Sequence, residues 1–471
     1  MTEPTWISVL PPLLAIGLAI VTRQVYLSLA SGIWLGWTIL AGWNPIAGLG
    51  RAIDETVRVL GNESNAKVIL FTLVIGALIA TVEAAGGVRG FVSWVERKNF
   101  VTNGRRAQIL AYIVGFVIFI ESNITVLVAG AIGRPLFDRF RVSREKLAYI
   151  IDSTSAPICI LIPLNAWGAY ILVLLGESGV DNPLSVFVSS IPLNFYAISA
   201  IIVTFVVVMS GLNLGPMKKA EQRTQGGELL SPMASPLLDP EVLSPPPNEK
   251  IEPRARNMFL PIAAMVVMMP VALFITGDGD LSAGSGATSV LWAVLTGLGV
   301  AWLLLLAQRA YTIDELTRVG LKGAGGLMSL ALVLLLALAL GSVANQLGTG
   351  LYLAQATGDL LPAVVFLPLV FIVGAGVAFS TGTSWGTFAI MIPIAVPAAQ
   401  ALGLPPAPFV AAALSGGIFG DHASPISDTT IIASMAAATD HIDHVRTQLP
   451  YALISGAIAT IAFAITGALI G

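Results

Sequence analysis

Charge is scarce in this sequence. Asp, Glu, Lys and Arg make up 11% of its 471 residues, against about 25% in an ordinary soluble domain. With 56% hydrophobic residues, such a chain could not cover its own surface with polar groups, which excludes a soluble globular protein. Disorder is excluded as well, because disordered chains combine few apolar residues with high charge. There is no basic excess: the formal net charge is −3, so no electrostatic footprint for nucleic acid exists. Cysteine is nearly absent. The single Cys159 allows no intrachain disulfide and no cysteine-based metal site. What remains is an all-α polytopic membrane protein whose first partner is the lipid bilayer.

A bilayer core needs about 20 apolar residues as helix. Six apolar segments precede residue 212: 6–22, 25–43, 66–85, 107–133, 147–175 and 185–211. Six more follow residue 256: 257–277, 287–308, 324–346, 362–399, 406–437 and 448–470. The first stretch, Trp6 to Val21, lacks a basic leading region, so it is expected to be a true span and not a cleavable leader. Trp6, Trp43 and Trp94 fall near the expected membrane interfaces. Residues 215–256 are rich in proline and charge and divide the chain. The expected organisation is an N-terminal repeat 1–214, a flexible cytoplasmic linker 215–256 and a C-terminal repeat 257–471.

Basic loops stay in the cytoplasm. Loop 86–106 carries Arg89, Arg97, Lys98, Arg105 and Arg106, and loop 134–146 carries Arg134, Arg139, Arg141, Arg144 and Lys146. One apolar segment, 107–133, separates them, and a single crossing cannot have both ends on one side. It is therefore expected to enter and turn back as a re-entrant hairpin, interrupted at Glu121-Ser122-Asn123-Ile124-Thr125. Segment 362–399 is too long for one span and is interrupted at 380–387, so it reads as a second hairpin entering from outside. Each half then holds about five crossings plus one hairpin, and an odd number of crossings inverts one half relative to the other. With both termini outside, every Lys and Arg except Arg51, Arg58 and Lys67 falls on the cytoplasmic side of the inner (cytoplasmic) membrane.

Two further segments are broken. Segment 147–175 contains Asp152-Ser153-Thr154-Ser155-Ala156-Pro157 and Pro163-Leu164-Asn165, and segment 406–437 contains Gly420-Asp421-His422-Ala423-Ser424-Pro425-Ile426-Ser427-Asp428-Thr429. Proline removes a backbone donor and opens the helix, leaving carbonyls and small hydroxyls free to coordinate. Broken helices in inverted repeats point to a secondary transporter.

A carboxylate at the bilayer centre costs roughly 3 kcal/mol on insertion scales, so those retained there are expected to hold a proton, a cation or a partner. Glu121, Asp421 and Asp428 are the expected Na⁺ candidates. Asp152 is a further candidate ion or substrate ligand, or else a helix-end residue near the cytoplasmic surface. Glu83, beside Gly86-Gly87, reads as interfacial. The expected shell adds Ser122, Asn123, Thr125, Ser155, Asn165, Thr381, Thr383, Ser384, His422, Ser424, Ser427 and Thr429. His441 and His444 form H-x-x-H, too few ligands for zinc, and are expected in a solvated loop 438–447. Gly382-Thr383-Ser384-Trp385-Gly386 matches a nucleophile pattern, but that pattern needs a strand–turn–helix elbow, so no enzyme is expected. No cofactor is expected beyond transported Na⁺ and H⁺.

The stretches GGIFGDHASPISDTTIIAS (416–434), DHIDHVRTQLPYAL (440–453), GTSWGTFAIMIP (382–393) and STSAPICILIPLNAWGAY (153–170) resemble the NhaC-type Na⁺/H⁺ antiporter family of the ion transporter superfamily. The resemblance covers both halves. It implies inverted repeats, two hairpins, a homodimer and an elevator. Helices 6–85 and 257–346 would be the scaffold, and 107–211 and 362–470 the moving part. It implies Na⁺/H⁺ antiport, with a Na⁺- or H⁺-coupled carrier of a small organic acid or amino acid as the alternative. Family members most associated with Na⁺/H⁺ exchange often carry lysine where this chain has His422.

Overall fold

The computed structural model describes residues 5–22, 24–87, 89–91, 93, 101–119, 122–163, 165–232, 234, 236, 252–279, 284–349, 352 and 362–471. Helix is the only regular secondary structure among them apart from turns and bends. Seven of the described helices are long and apolar enough to cross a membrane, or up to nine if each of two bent pairs counts as one span.

The N-terminal half opens with α1 (Leu10–Thr22), α2 (Val25–Leu40), α3 (Pro45–Val59) and α4 (Glu63–Ala84). The sequence gives no span over α3, and none is formed: the chain bends by 118° between α2 and α3. Asn44 caps α3 by accepting from the Ile46 and Ala47 amides, and a side-chain cap there fixes a new helix start. Ile46, Leu49, Ile53 and Val57 share one exposed apolar face at helical spacing. Next come α5 (Gly104–Val117) and α6 (Ser122–Arg139), the two limbs of the segment expected to be a hairpin. They pack on each other. The broken segment follows as α7 (Arg144–Ser153), α8 (Ala156–Cys159) and α9 (Ala166–Glu177), then α10 (Pro183–Ser190) and α11 (Phe195–Ser210).

The C-terminal half has α13 (Arg256–Thr276), α14 (Gly286–Ala307), α15 (Ile313–Gly326) and α16 (Met328–Gln346), then α17 (Ala363–Thr381) and α18 (Ser384–Ala401), broken at Gly382-Thr383. The second broken segment is α19 (Pro406–Ala423) and α20 (Asp428–Ala437), and the chain closes with α21 (His441–Ile470). Thirty residues of α21 reach about 45 Å at 1.5 Å per residue, more than a bilayer core.

Helices of the two halves pack on one another, and α16 also packs on α18. α2 lies on α16, and α4 lies on α14 and α15. Elsewhere α6 packs on α20, α7 on α20 and α21, and α18 on α9. The α17–α19 contact is close because glycines face it: a Cβ on Gly416 would lie 2.4 Å from the Phe371 carbonyl, and one on Gly420 2.1 Å from that of Ala375. Small residues four apart let backbones approach where lipid offers no hydrophobic drive.

Residues 215–225, expected to open a flexible linker, form α12 (Gly215–Gln225). Pro216 sits at the helix start, where its missing N–H costs nothing. Met217, Ala220, Glu221 and Thr224 are buried. Glu221 Oε1 accepts from the Ser143 amide at 2.9 Å and its hydroxyl at 2.5 Å, and Arg223 pairs with Glu145 at 2.7 Å. Linker residues 237–251 lie outside the described residues.

Candidate functional site

The two helix breaks and the start of α21 meet in one buried polar centre. Asp152, one residue before the end of α7, has 0% exposure. Its Oδ2 accepts from Gln448 Nε2 at 2.7 Å and from Thr430 Oγ1 at 3.0 Å. His444 Nε2 stands 4.0 Å from the same oxygen. Its other oxygen, Oδ1, has no hydrogen-bond partner among the described residues. A capping role at the surface is thereby ruled out: Asp152 is interior, and Ser143 is the residue that caps α7.

Asp421 lies in the last turn of α19, also fully buried. Its Oδ2 accepts from Thr429 Oγ1 at 2.7 Å, and Thr429 Oγ1 is 3.2 Å from Ser427 Oγ. Thr429 and Thr430 are neighbours in the first turn of α20. Successive helical residues point about 100° apart, so one hydroxyl reaches Asp421 and the next reaches Asp152. Ser427 makes this turn possible by accepting from the Thr430 amide at 3.1 Å, the usual N-cap role. His422 Nδ1 is 3.2 Å from the Tyr196 hydroxyl on α11. The His422 carbonyl accepts from Gln448 Nε2 at 3.0 Å, so one amide ties both breaks together.

Each hairpin tip touches a break. In the C-terminal half the Ser424 hydroxyl donates to the Phe379 carbonyl at 2.7 Å. Gly382 has φ +69°, and a Cβ on it would lie 2.2 Å from the Ile426 carbonyl. In the N-terminal half Asn165 Nδ2 donates to the carbonyls of Phe119 at 2.9 Å and Cys159 at 2.8 Å, while Asn165 Oδ1 accepts from the Gly168 amide. The halves also cross over: Tyr170 donates to the Trp385 carbonyl at 2.9 Å, and the Trp167 and Trp385 rings meet at a tilt of 42° with centroids 4.5 Å apart.

Of the residues expected to form the site, Asp152, Asp421, His422, Ser427 and Thr429 come together. Glu121 and the side chains of Asn123 and Asp428 lie outside the described residues, as does Trp94. Ser122 is buried at the start of α6. Several expected ligand hydroxyls give their protons to backbone instead: Thr125 to Ile118, Ser155 to Asp152 and Thr381 to Val377. Small hydroxyl residues in membrane helices commonly bond this way. Ser384 is buried at the first position of α18, and its Oγ has no partner among the described residues. Thr383 precedes it as the N-cap. The motif 382–386 joins two helices and has no strand elbow. Glu83 sits in the last turn of α4, away from the centre. Among the described residues no three His, Cys, Asp or Glu side chains form a metal-holding group.

The structure corrects the reading of 438–447 as a solvated loop. α21 begins at His441, capped by Asp440, and His444 has 0% exposure. His444 faces Asp152 and α20, while His441 and Asp443 are partly exposed and Ile442 is exposed. Sequence reasoning also missed Gln448, Thr430 and Tyr196.

A family model described as the Na⁺/H⁺ antiporter family matches residues 180–468. An uncharacterized protein of Haemophilus influenzae is 36% identical over 98% of this chain and 90% of its own length. An arginine/ornithine antiporter of Halobacterium salinarum is 30% identical over 46% of this chain and 44% of its own. A malate-2H⁺/Na⁺-lactate antiporter of Bacillus subtilis is 30% identical over 37% of this chain and 38% of its own. In fold, the chain is similar to the YdaH transporter of Alcanivorax borkumensis, with a TM-score of 0.56 at 14% identity, covering 89% of this chain and 88% of that one.

Proposed function

The chain belongs to the Na⁺/H⁺ antiporter family, and from that footing we propose that this secondary transporter exchanges Na⁺ for H⁺ across the cytoplasmic membrane. The observation that carries the reading is the contrast between two adjacent buried carboxylates. Asp152 is bordered by donors: a hydroxyl, an amide and an imidazole. The donors gather on Oδ2, beside an imidazole that can itself carry a proton, so Asp152 is read as the proton-sensing group. Asp421 accepts from the Thr429 hydroxyl, which Ser427 backs in turn, at the open end of α19, and oxygens of this kind suit hard cations. Asp428 and Glu121 are proposed to join Asp421. Because Thr429 and Thr430 share one helical turn, a displacement at either carboxylate is felt at the other, and loading one ion opposes the other.

The order of elements supports an inverted repeat. Each half runs through two apolar helices, an amphipathic helix (α3 or α15), a third apolar helix, a hairpin, a broken helix and a final long helix. Packing of α2 on α16 and of α4 on α14 and α15 supports residues 6–85 and 257–346 as a dimeric scaffold, with the rest moving as an elevator. Both termini outside and a cytoplasmic linker complete this reading.

One observation favours a second reading, a coupled carrier of a small organic acid or amino acid. The buried, unpartnered Ser384 hydroxyl stands at the N-terminus of α18, where helix amides can bind a solute carboxylate. The relatives named for arginine/ornithine and malate/lactate exchange fit it. In proteoliposomes, ²²Na⁺ uptake driven by a pH gradient is expected in the wild type and lost in Asp421→Asn and Asp428→Asn. Wild-type flux in Asp421→Asn would overturn the assignment, and uptake of labelled amino acid or dicarboxylate in place of ²²Na⁺ would favour the second reading.

A further inference from the structure

Two imidazoles and one hydroxyl form a chain where α20 meets α21. Ser434 Oγ lies 3.1 Å from His441 Nδ1 and 2.9 Å from His444 Nδ1. The far nitrogen of each ring is already committed. His441 Nε2 is 2.7 Å from the Pro425 carbonyl. A carbonyl can only accept, so this nitrogen carries a proton. Gln448 gives its amide hydrogens to Asp152 and to the His422 carbonyl, which fixes the orientation of the amide. Its Oε1 is therefore the atom 3.0 Å from His444 Nε2, and that nitrogen carries a proton too.

Counting protons then leaves one choice. A neutral imidazole has a single N–H. If both rings were neutral, both Nδ1 lone pairs would face Ser434, whose hydroxyl has one hydrogen. That hydrogen can serve one ring, or the Thr430 carbonyl at 2.8 Å, but not two acceptors at once. The remaining contact would set lone pair against lone pair. With Ser434 turned to a ring, both ring contacts are satisfied when the other ring is an imidazolium, and the Thr430 carbonyl gives up that hydrogen; with Ser434 donating to the carbonyl, both rings must be charged. With Ser434 donating to His444 the charge sits on His441, and with Ser434 donating to His441 it sits on His444.

We propose that His441, Ser434 and His444 form a proton-loading relay that carries one proton from the protein surface to a ring beside Asp152. The step balances. His441 Nδ1–H breaks as Ser434 Oγ takes that proton, and Ser434 Oγ–H breaks as His444 Nδ1 takes its proton. One positive charge moves inward and none is created. His441 is partly exposed and His444 fully buried, which sets the two ends. On arrival the charge stands 4.0 Å from Asp152 Oδ2 and neutralises that carboxylate. This deepens the antiport reading and rests on it for the identity of the opposing ion.

Other charged and titratable groups surround the relay among the described residues, Glu145 of α7 acting on Asp443 among them. Asp152 faces the relay from α7, and His422 on α19 is linked to it through Gln448. Asp440 and Asp443 are on the first turn of α21, with Asp443 Oδ2 accepting from Ser231 at 2.5 Å. Arg144 donates to the Ala438 carbonyl at 3.0 Å and pairs with Asp138 on α6.

The chain has three histidines, His422, His441 and His444, so ¹⁵N-histidine labelling of the whole protein in nanodiscs gives three rings to follow by NMR. Comparison with His422→Gln removes the third ring from the spectrum. The relay predicts that His441 and His444 titrate as one coupled unit with one shared proton. Ser434→Ala is expected to split them into independent transitions, and Ser434→Thr to restore the coupling. Independent titration in the wild type, or coupling that survives Ser434→Ala, would overturn the relay. Coupled rings in a protein that shows no pH-driven ²²Na⁺ uptake would instead strike the Na⁺ assignment and leave the relay standing.

Discussion

Substituting alanine at Gly382 tests how tightly the C-terminal hairpin tip is held against the α19–α20 break. Two separate costs apply. At φ +69° an L-residue with a Cβ loses about 1–2 kcal/mol relative to glycine. The new Cβ would also lie 2.2 Å from the Ile426 carbonyl, and relieving such overpacking costs about another 1–3 kcal/mol. The total is roughly 2–5 kcal/mol, taken from the contact that Ser424 and Phe379 also make. Gly403 isolates the first cost, because it has the same φ of +69° with nothing within 4 Å of its would-be Cβ. Thermal unfolding of purified protein should therefore rank wild type above Gly403→Ala and Gly403→Ala well above Gly382→Ala. Flux should fall in Gly382→Ala and stay near wild type in Gly403→Ala. Equal midpoints for the two variants would refute the claim that the tip and the break are in contact.

Two further perturbations probe the surroundings of the centre. Gln448→Leu removes the amide that holds Asp152 and the His422 carbonyl; an unmade bond to a buried charged group costs about 1–3 kcal/mol, so the unfolding midpoint should drop, and an unchanged midpoint would show that the tie between the breaks is not formed. Arg223→Ala should free α12 and speed tryptic cleavage at Lys218 and Lys219, and unchanged cleavage would contradict the docking. Burial pushes the Glu145 carboxyl above its ordinary range, and the Arg223 charge offsets this only in part. The docked state therefore binds this proton more firmly than the undocked one, and docking weakens as pH rises through that raised range.

Much of the architecture was legible because lipid leaves few options. Apolar runs of span length coincide with helices, and the interruption expected at 380–387 narrows to a break at Gly382-Thr383, while Ser122 to Thr125, expected to interrupt the first hairpin, are already helical. Asp152 and Asp421 stood out because a carboxylate in an apolar run needs a reason. The amphipathic α3 and α15 were not found by a search for apolar length, since their surface is half polar. α12 was hidden by its charge: Glu221 and Arg223 look solvated in sequence, yet they are matched by Ser143 and Glu145 across the fold. His444 and Gln448 were hidden for a related reason. Local polarity at 438–448 is the mark of a loop when read alone, and only the approach of α7 and α20 turns it into an interior.

Proton release on cation binding addresses the account most directly. Purified protein in weakly buffered solution, given NaCl and followed with a pH indicator, should release protons in the wild type. It should release none in Asp421→Asn, where the cation has lost its carboxylate. No release from the wild type, or equal release from both proteins, would contradict the exchange of one ion for the other at this centre.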